Sequence, residues 1–174
     1  ACVVGFLVVG VDGESVDTYQ FNIDYDSSDE TLYSVDATTY AGAPLMAGVM
    51  DFDPSLAVIA GAVYWADESG NELPVGCSTV KTYDGTGSES GVIRYFGDNG
   101  LPTNLQTRDS INPLNGYYVS VNLQPGAGSK VEALMDGTPF GETILPTFGD
   151  AIAISNVYAP PHPAEKPAPA GGCN

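Results

Sequence analysis

The chain has 174 residues, with 22 Asp and Glu residues against five Lys and Arg residues, and a formal net charge of −17 at pH 7. Its length suits one domain with a sizeable hydrophobic core. A surface this negative repels phosphates and anionic headgroups, which disfavours nucleic acid and acidic membranes as partners. The charge fits either simple solubility of an exported protein or an affinity for cations such as calcium.

The first predicted element is an apolar N-terminal segment. Since both its odd and even positions are apolar, it predicts a strand buried on both faces, formed by Val3, Val4, Phe6, Leu7, Val8 and Val9. Such a strand is either central in its own sheet or completes the sheet of a neighbouring copy, and head-to-tail repetition of that contact builds filaments. Without a basic flank, the segment suggests a mature N-terminus after signal removal and an extracellular or cell-surface location.

Apolar and polar residues alternate with a period of two along most of the chain, and no convincing helical stripe is present. The clearest half-buried strands are predicted near residues 18–25 and 117–123. Others are predicted near residues 2–10, 31–39, 57–66, 72–83, 92–96, 129–135 and 151–158. About ten short strands separated by Gly and Asn turns predict an all-β fold, an antiparallel sandwich or barrel. No stretch reaches the roughly 18 apolar residues of a membrane span.

The acidic residues cluster most densely in one predicted loop, which contains Asp24, Asp26 and Asp29. Calcium prefers six to eight oxygen ligands of this kind. Aspartates are equally ordinary in turns and solvated loops, and the cluster does not match the EF-hand ligand pattern. Calcium is therefore the one cofactor that the sequence suggests, and both interpretations stay open.

The three cysteines, Cys2, Cys77 and Cys173, form no metal-binding or redox motif. Disulfide bonding in an exported protein is the better explanation. Because three is an odd number, one thiol is either buried and free or paired with another chain. The first expectation is a Cys2–Cys173 link with Cys77 buried, although the sequence does not determine the connectivity.

Aromatic residues occur as adjacent pairs in three predicted strands: Tyr64-Trp65, Tyr95-Phe96 and Tyr117-Tyr118. Adjacent strand residues face opposite ways, so one member of each pair points outward unless another layer covers it. An outward ring such as Trp65 could stack on sugar rings or form a protein interface. Alternatively, residues 1–56 cover this surface.

No catalytic residue is predicted, and we expect the protein not to be an enzyme. The single histidine, His162, lies among prolines near the C-terminus, and the chain has no Gly-x-Ser-x-Gly motif. Paired carboxylates could support glycoside hydrolysis. Such sites usually lie in a cleft with basic and aromatic subsites, and only five basic residues are present.

Two segments carry a family resemblance. Residues 60–75 contain a strand, an Asp67-Glu-Ser-Gly-Asn71 turn and a Leu73-Pro-Val75 return, and residues 107–126 have the form of a hairpin that ends in Leu-Gln-Pro-Gly. With these features, residues 57–158 resemble the carboxypeptidase regulatory-like (transthyretin-like) β-sandwich modules of bacterial surface proteins. The resemblance implies a non-enzymatic extracellular module used for structure, adhesion or ligand binding.

We therefore expect an Ig-like or transthyretin-like β-sandwich core at residues 57–158. Residues 1–56 would add N-terminal strands, and residues 159–174 would form an extended tail rich in Pro, Ala and Gly. The favoured function is an extracellular structural protein, a self-assembling filament, pilus-like or surface-layer subunit joined to copies of itself through its terminal segments. The alternative is a secreted adhesion module that binds polysaccharide or protein.

Overall fold

The computed structural model describes residues 5–21, 32–160 and 166–168, and within them the chain is mostly β with one short helix. The helix is α1 (Ala37–Met46). The strands are β1 (Gly5–Val8), β2 (Ser15–Phe21), β3 (Val35–Asp36), β4 (Ala57–Ala66), β5 (Glu72–Pro74), β6 (Thr79–Tyr83), β7 (Val92–Tyr95), β8 (Tyr117–Leu123), β9 (Gly126–Met135), β10 (Thr138–Thr147), β11 (Ala151–Ile154) and β12 (Val157–Tyr158). The expected all-β class is confirmed.

Nine of these strands form one large sheet, whose main path runs β1-β2-β11-β4-β8-β7. β3 pairs with β2, and both β5 and β12 pair with β4. β11 lies between β2 and β4 and is parallel to both. The expectation of purely antiparallel pairing is therefore wrong, because the sheet is mixed. Parallel neighbours need long connections, and here the chain passes through the whole small sheet between β4 and β11.

The small sheet contains three antiparallel strands in the order β10-β9-β6. Its edge strand β10 is absent from the sequence prediction. Pro139, Gly141 and Pro146 interrupt its alternation, and the register with β9 shifts between Pro139 and Gly141 and again between Leu145 and Thr147. Edge strands tolerate prolines and bulges that a central strand would not.

The main core lies between the two sheets. Ile59, Val63 and Tyr118 of the large sheet are fully buried and belong to one cluster with Val131 and Leu145 of the small sheet. A buried hydrogen bond of 2.9 Å also joins the sheets, between the hydroxyl groups of Thr82 and Ser120. The two sheets thus form one packed unit rather than separate domains.

The opposite face of the large sheet packs against α1. Asp36 caps the helix, since its Oδ1 accepts a hydrogen bond of 2.8 Å from the Thr39 N–H. The sequence predicts a strand here and not a helix, because Gly42 and Pro44 weaken the helical pattern. Tertiary packing of Tyr40 over the sheet decides the outcome. No helix in the described ranges is long and apolar enough to cross a membrane.

The N-terminal strand β1 is at the edge of the large sheet, where it pairs with β2 of the same chain. Phe6 is 39%, Leu7 45% and Val9 70% exposed. The alternative of a central strand buried on both faces of its own sheet is therefore wrong, since β11 occupies the central position beside β2. Completion of the sheet of a neighbouring copy stays a prediction. Val8 is half-buried. Val3 and Val4 lie outside the described residues.

Candidate functional site

The three aromatic pairs divide between the two faces of the large sheet. Tyr95 and Tyr118 are buried in the core, whereas their neighbours Phe96 and Tyr117 lie on the face opposite. In the first pair Tyr64 is the outer member, because Trp65 packs against the core. The indole N–H of Trp65 is buried and has no hydrogen-bond partner within the described part of the chain. The expectation that Trp65 is the outward ring of its pair is therefore wrong, and Tyr64 is the outward one.

The outer aromatic side chains come together in one groove of about 480 Å³, which we call the aromatic groove. Four outer rings line it, those of Tyr33, Tyr64, Phe96 and Tyr117, and the buried Tyr118 also contributes to its lining. Phe96 and Tyr117 meet edge to face, with ring centroids 5.8 Å apart. The strands set this arrangement, since Phe96 follows β7, Tyr117 begins β8 and Tyr64 lies in the neighbouring β4.

The base of the aromatic groove contains the small residues Ala60 and Gly61. A side chain at position 61 would collide with the carbonyl oxygen of Ser155. That carbonyl also accepts a hydrogen bond of 2.8 Å from the Tyr118 hydroxyl, which anchors β8 beneath the groove. The absence of a side chain at Gly61 therefore lets the segment after β11 approach β4 closely.

Polar groups lie at one end of the aromatic groove. The hydroxyl of Tyr158 donates a hydrogen bond of 2.6 Å to Oε1 of Glu72. Oδ1 of Asn156 accepts one of 3.0 Å from the Ala62 N–H, and Asn156 also lines the groove. The ring of Tyr158 tilts toward that of Tyr64, with centroids 6.3 Å apart. A carboxylate, an amide and phenol groups thus stand beside exposed ring faces.

The hydroxyl group of Tyr64 stays protonated at neutral pH. Burial, and next the neighbouring Tyr117 and Glu72, raise the pKa of Tyr64 to about 12. A neutral phenol both donates and accepts hydrogen bonds. The site therefore offers ring faces and the uncharged hydroxyl group of Tyr64, with an exposed carboxylate at Glu72.

Asp24, Asp26 and Asp29 fall outside the described residues, as does His162, so the calcium site stays a prediction that a calcium-dependent rise in Tm would check. No group of three or more His, Cys, Asp or Glu side chains that could hold a metal occurs within residues 5–21, 32–160 and 166–168.

Cys77 is half-buried, has a φ of 62° and takes part in a disulfide. Cys2 and Cys173 lie outside the described residues. The expectation that Cys77 is the unpaired cysteine is therefore wrong.

The described residues of the expected C-terminal tail contact the fold. Close to β12, the N–H of Ala159 donates a hydrogen bond of 2.8 Å to the carbonyl of Tyr64. Pro160 and Pro167 line a hollow together with Phe140 of β10.

Searches against protein-family models, curated proteins and solved structures found no match to this chain. The transthyretin-like resemblance of residues 57–158 therefore stays a prediction. Sequence reasoning missed Tyr33, Glu72 and Asn156 as groove residues, and it missed Tyr158 as the hydrogen-bond partner of Glu72. No local signal marks them, because they come from loops and short strands that only the fold brings beside Tyr64.

Proposed function

We propose that this protein is an extracellular binding module that holds polysaccharide in the aromatic groove. The observation that carries the proposal is the convergence of Tyr33, Tyr64, Phe96 and Tyr117 on one open face. An apolar patch of rings with a few polar groups is typical of a ligand site.

The chemistry of the aromatic groove matches that of a sugar. A pyranose presents an apolar C–H face that packs on aromatic rings and a rim of hydroxyl groups that form hydrogen bonds. Glu72 and Asn156 are positioned to meet such hydroxyl groups. The net charge of −17 repels acidic glycans, which favours neutral or cationic ones.

A truncation of Tyr117 tests this proposal. Tyr117→Ala is expected to weaken glycan binding by about five- to thirtyfold, as loss of an aromatic anchor costs about 1–2 kcal/mol. The matched control is Phe148→Ala, since Phe148 is 40% exposed against 42% for Tyr117 and its ring stacks on Tyr19 instead. Calorimetric titration with a panel of neutral and amino-sugar oligosaccharides measures the glycan affinity of both variants. Absence of binding across the panel, or equal effects of the two substitutions, contradicts the proposal.

The second candidate is the self-assembling structural subunit, a filament, pilus-like fibre or surface layer of identical copies. The observation that favours it is the edge position of β1 with its exposed Leu7, followed by the exposed Val9. Exposed apolar edge strands readily pair with strands of other chains. Such pairing would extend the large sheet from one copy to the next.

Charge on the β1 edge tests assembly. Leu7→Lys is expected to shift the protein toward monomer in sedimentation velocity, because a lysine at a strand edge opposes pairing. Leu105→Lys is the control, since Leu105 is 48% exposed against 45% for Leu7 and lies in a loop. A wild-type chain that stays monomeric at all concentrations rules this candidate out.

Two further parts of the proposal concern fold family and location. The packing of two sheets around one core supports an Ig-like or transthyretin-like sandwich for residues 57–158. The disulfide at Cys77 supports export, because disulfides persist in oxidising compartments. Retention of that disulfide in protein taken from the native source, assayed by thiol labelling, would test the location.

A further inference from the structure

A second cavity lies beneath α1, between the helix and the outer face of the large sheet. Its volume is about 290 Å³, and its walls are almost wholly apolar. Residues from the helix and from the sheet contribute in similar number, among them Tyr40, Ala43, Met46, Val58, Val121 and Ile152. We call it the apolar cavity.

The size and lining of the apolar cavity point to an apolar occupant. Protein interiors hold few voids larger than a water molecule. An engineered apolar cavity of about 150 Å³ takes up benzene, and the apolar cavity is roughly twice that volume. The hydroxyl of Tyr40 is directed to the carbonyl of Pro54, at 3.5 Å, and so is engaged outside it.

The apolar cavity adjoins the aromatic groove. Ala60, Phe96 and Ile154 line both. Phe96 therefore has the rings of the groove on one side and the void beneath α1 on the other. A single ligand that spans this boundary meets ring faces and polar groups at one end and aliphatic side chains at the other.

We propose that the ligand is an amphiphilic glycoside, with its sugar in the aromatic groove and an alkyl chain in the apolar cavity. This inference rests on the proposed function, because it assigns the sugar to the same groove. The alkyl chain supplies affinity through burial of methylene groups, and the sugar supplies orientation. Burial of one methylene group contributes about a fourfold gain in affinity.

Chain length provides the first test. Methyl, hexyl and octyl β-glucosides are titrated into the protein by calorimetry, with the alkyl glucosides kept below micelle formation. Octyl β-glucoside is expected to bind about fifteenfold more tightly than hexyl β-glucoside, from two further methylene groups. Equal affinities for the hexyl and octyl compounds overturn the inference.

Two matched pairs of variants test whether the alkyl chain of the ligand lies in the apolar cavity. Leu101→Ala removes apolar lining from the cavity and is expected to weaken octyl β-glucoside binding about fivefold. Leu105 has a similar exposure but lies outside the cavity, so Leu105→Ala is expected to leave the affinity for octyl β-glucoside unchanged. Ala43→Leu fills the cavity and removes the dependence on chain length, whereas Ala41→Leu on the exposed side of α1 does not. Equal behaviour within both pairs overturns the inference.

The substitution Tyr117→Ala separates this inference from the proposed function. If Tyr117→Ala weakens binding of methyl β-glucoside and oligosaccharides, but alkyl chain length has no effect on affinity, the proposed sugar site is supported and the proposed alkyl site is contradicted. If octyl β-glucoside binds equally well to Tyr117→Ala and wild type, the groove does not hold the sugar, and both proposals fail. Thermal melting of each variant confirms that it is folded.

Discussion

Removal of the Tyr95 hydroxyl group is expected to weaken the contact between the two sheets. Tyr95 lies in β7 of the large sheet and is 3% exposed. Its hydroxyl oxygen accepts a hydrogen bond of 2.9 Å from the Val80 N–H in β6 of the small sheet. Tyr95→Phe keeps the ring and leaves that buried N–H without its acceptor.

The expected loss of stability at neutral pH is about 1–3 kcal/mol, the penalty of an unpaired buried polar group. For a chain of this length, each 1 kcal/mol lowers Tm by about 2–4 °C. Burial also raises the pKa of Tyr95 to about 12. Because the pKa is about 10 in the unfolded chain, the Tyr95 contribution is complete below pH 10 and is lost as pH rises through 12. Tyr95→Phe has no hydroxyl group to ionise at this position and so does not lose stability in this way. The difference in the free energy of unfolding between wild type and Tyr95→Phe therefore narrows between pH 10 and 12.

Urea denaturation at pH 7, 10, 11 and 12 measures the difference in the free energy of unfolding between wild type and Tyr95→Phe. The single tryptophan, Trp65, is the fluorescent probe. The control is Tyr33→Phe, since Tyr33 is 58% exposed and its substitution is expected to change stability by less than about 0.5 kcal/mol. Tyr40 and Tyr64 also have pKa values raised to about 12, but they are present in both proteins and cancel in the difference. Equal stability at pH 7, or a gap that does not narrow with pH, would refute the reasoning.

Three further substitutions probe backbone contacts and the helix cap. Gly61→Ala is expected to destabilise the protein by about 3 kcal/mol or more, because its methyl group would collide with the Ser155 carbonyl; a Tm close to wild type would contradict this. Gly42→Ala is expected to raise stability by about 0.5–1 kcal/mol, since no atom outside the neighbouring helix backbone lies within 4 Å of the added methyl group. Asp36→Ala is expected to lower the free energy of unfolding by loss of the N-cap, measured by urea denaturation. Hydrogen bonds from Thr39 lower the pKa of Asp36, so the wild-type cap is lost as pH falls through that lowered value, and acid should reduce the difference between the two proteins.

The strands were largely predictable because alternation is a local property. The predicted ranges 57–66 and 117–123 coincide with β4 and β8. β10 escaped prediction because prolines interrupt its pattern, which only an edge position accommodates. α1 was not predicted because its sequence contains Gly42 and Pro44, which weaken the helical pattern. The helix forms because it packs on the sheet beneath it.

The candidate site was predictable in part. Alternation alone requires that one member of each aromatic pair face away from the other, and the structure has this arrangement. It could not indicate which face would be the core. Trp65 is the larger ring, yet it packs against the core cluster that contains Val63, two residues before it in β4, whereas Tyr64 lines the groove.

The sequence by itself determined the β class, the acidic surface and the positions of most strands, because each depends on composition or on neighbours along the chain. Only the tertiary structure decided that β11 lies between β2 and β4, which places β1 at the edge and exposes its apolar side chains. The same applies to the aromatic groove and the apolar cavity. Both are formed by residues far apart in sequence, and their proximity depends on strand order, which hydrophobic periodicity does not encode.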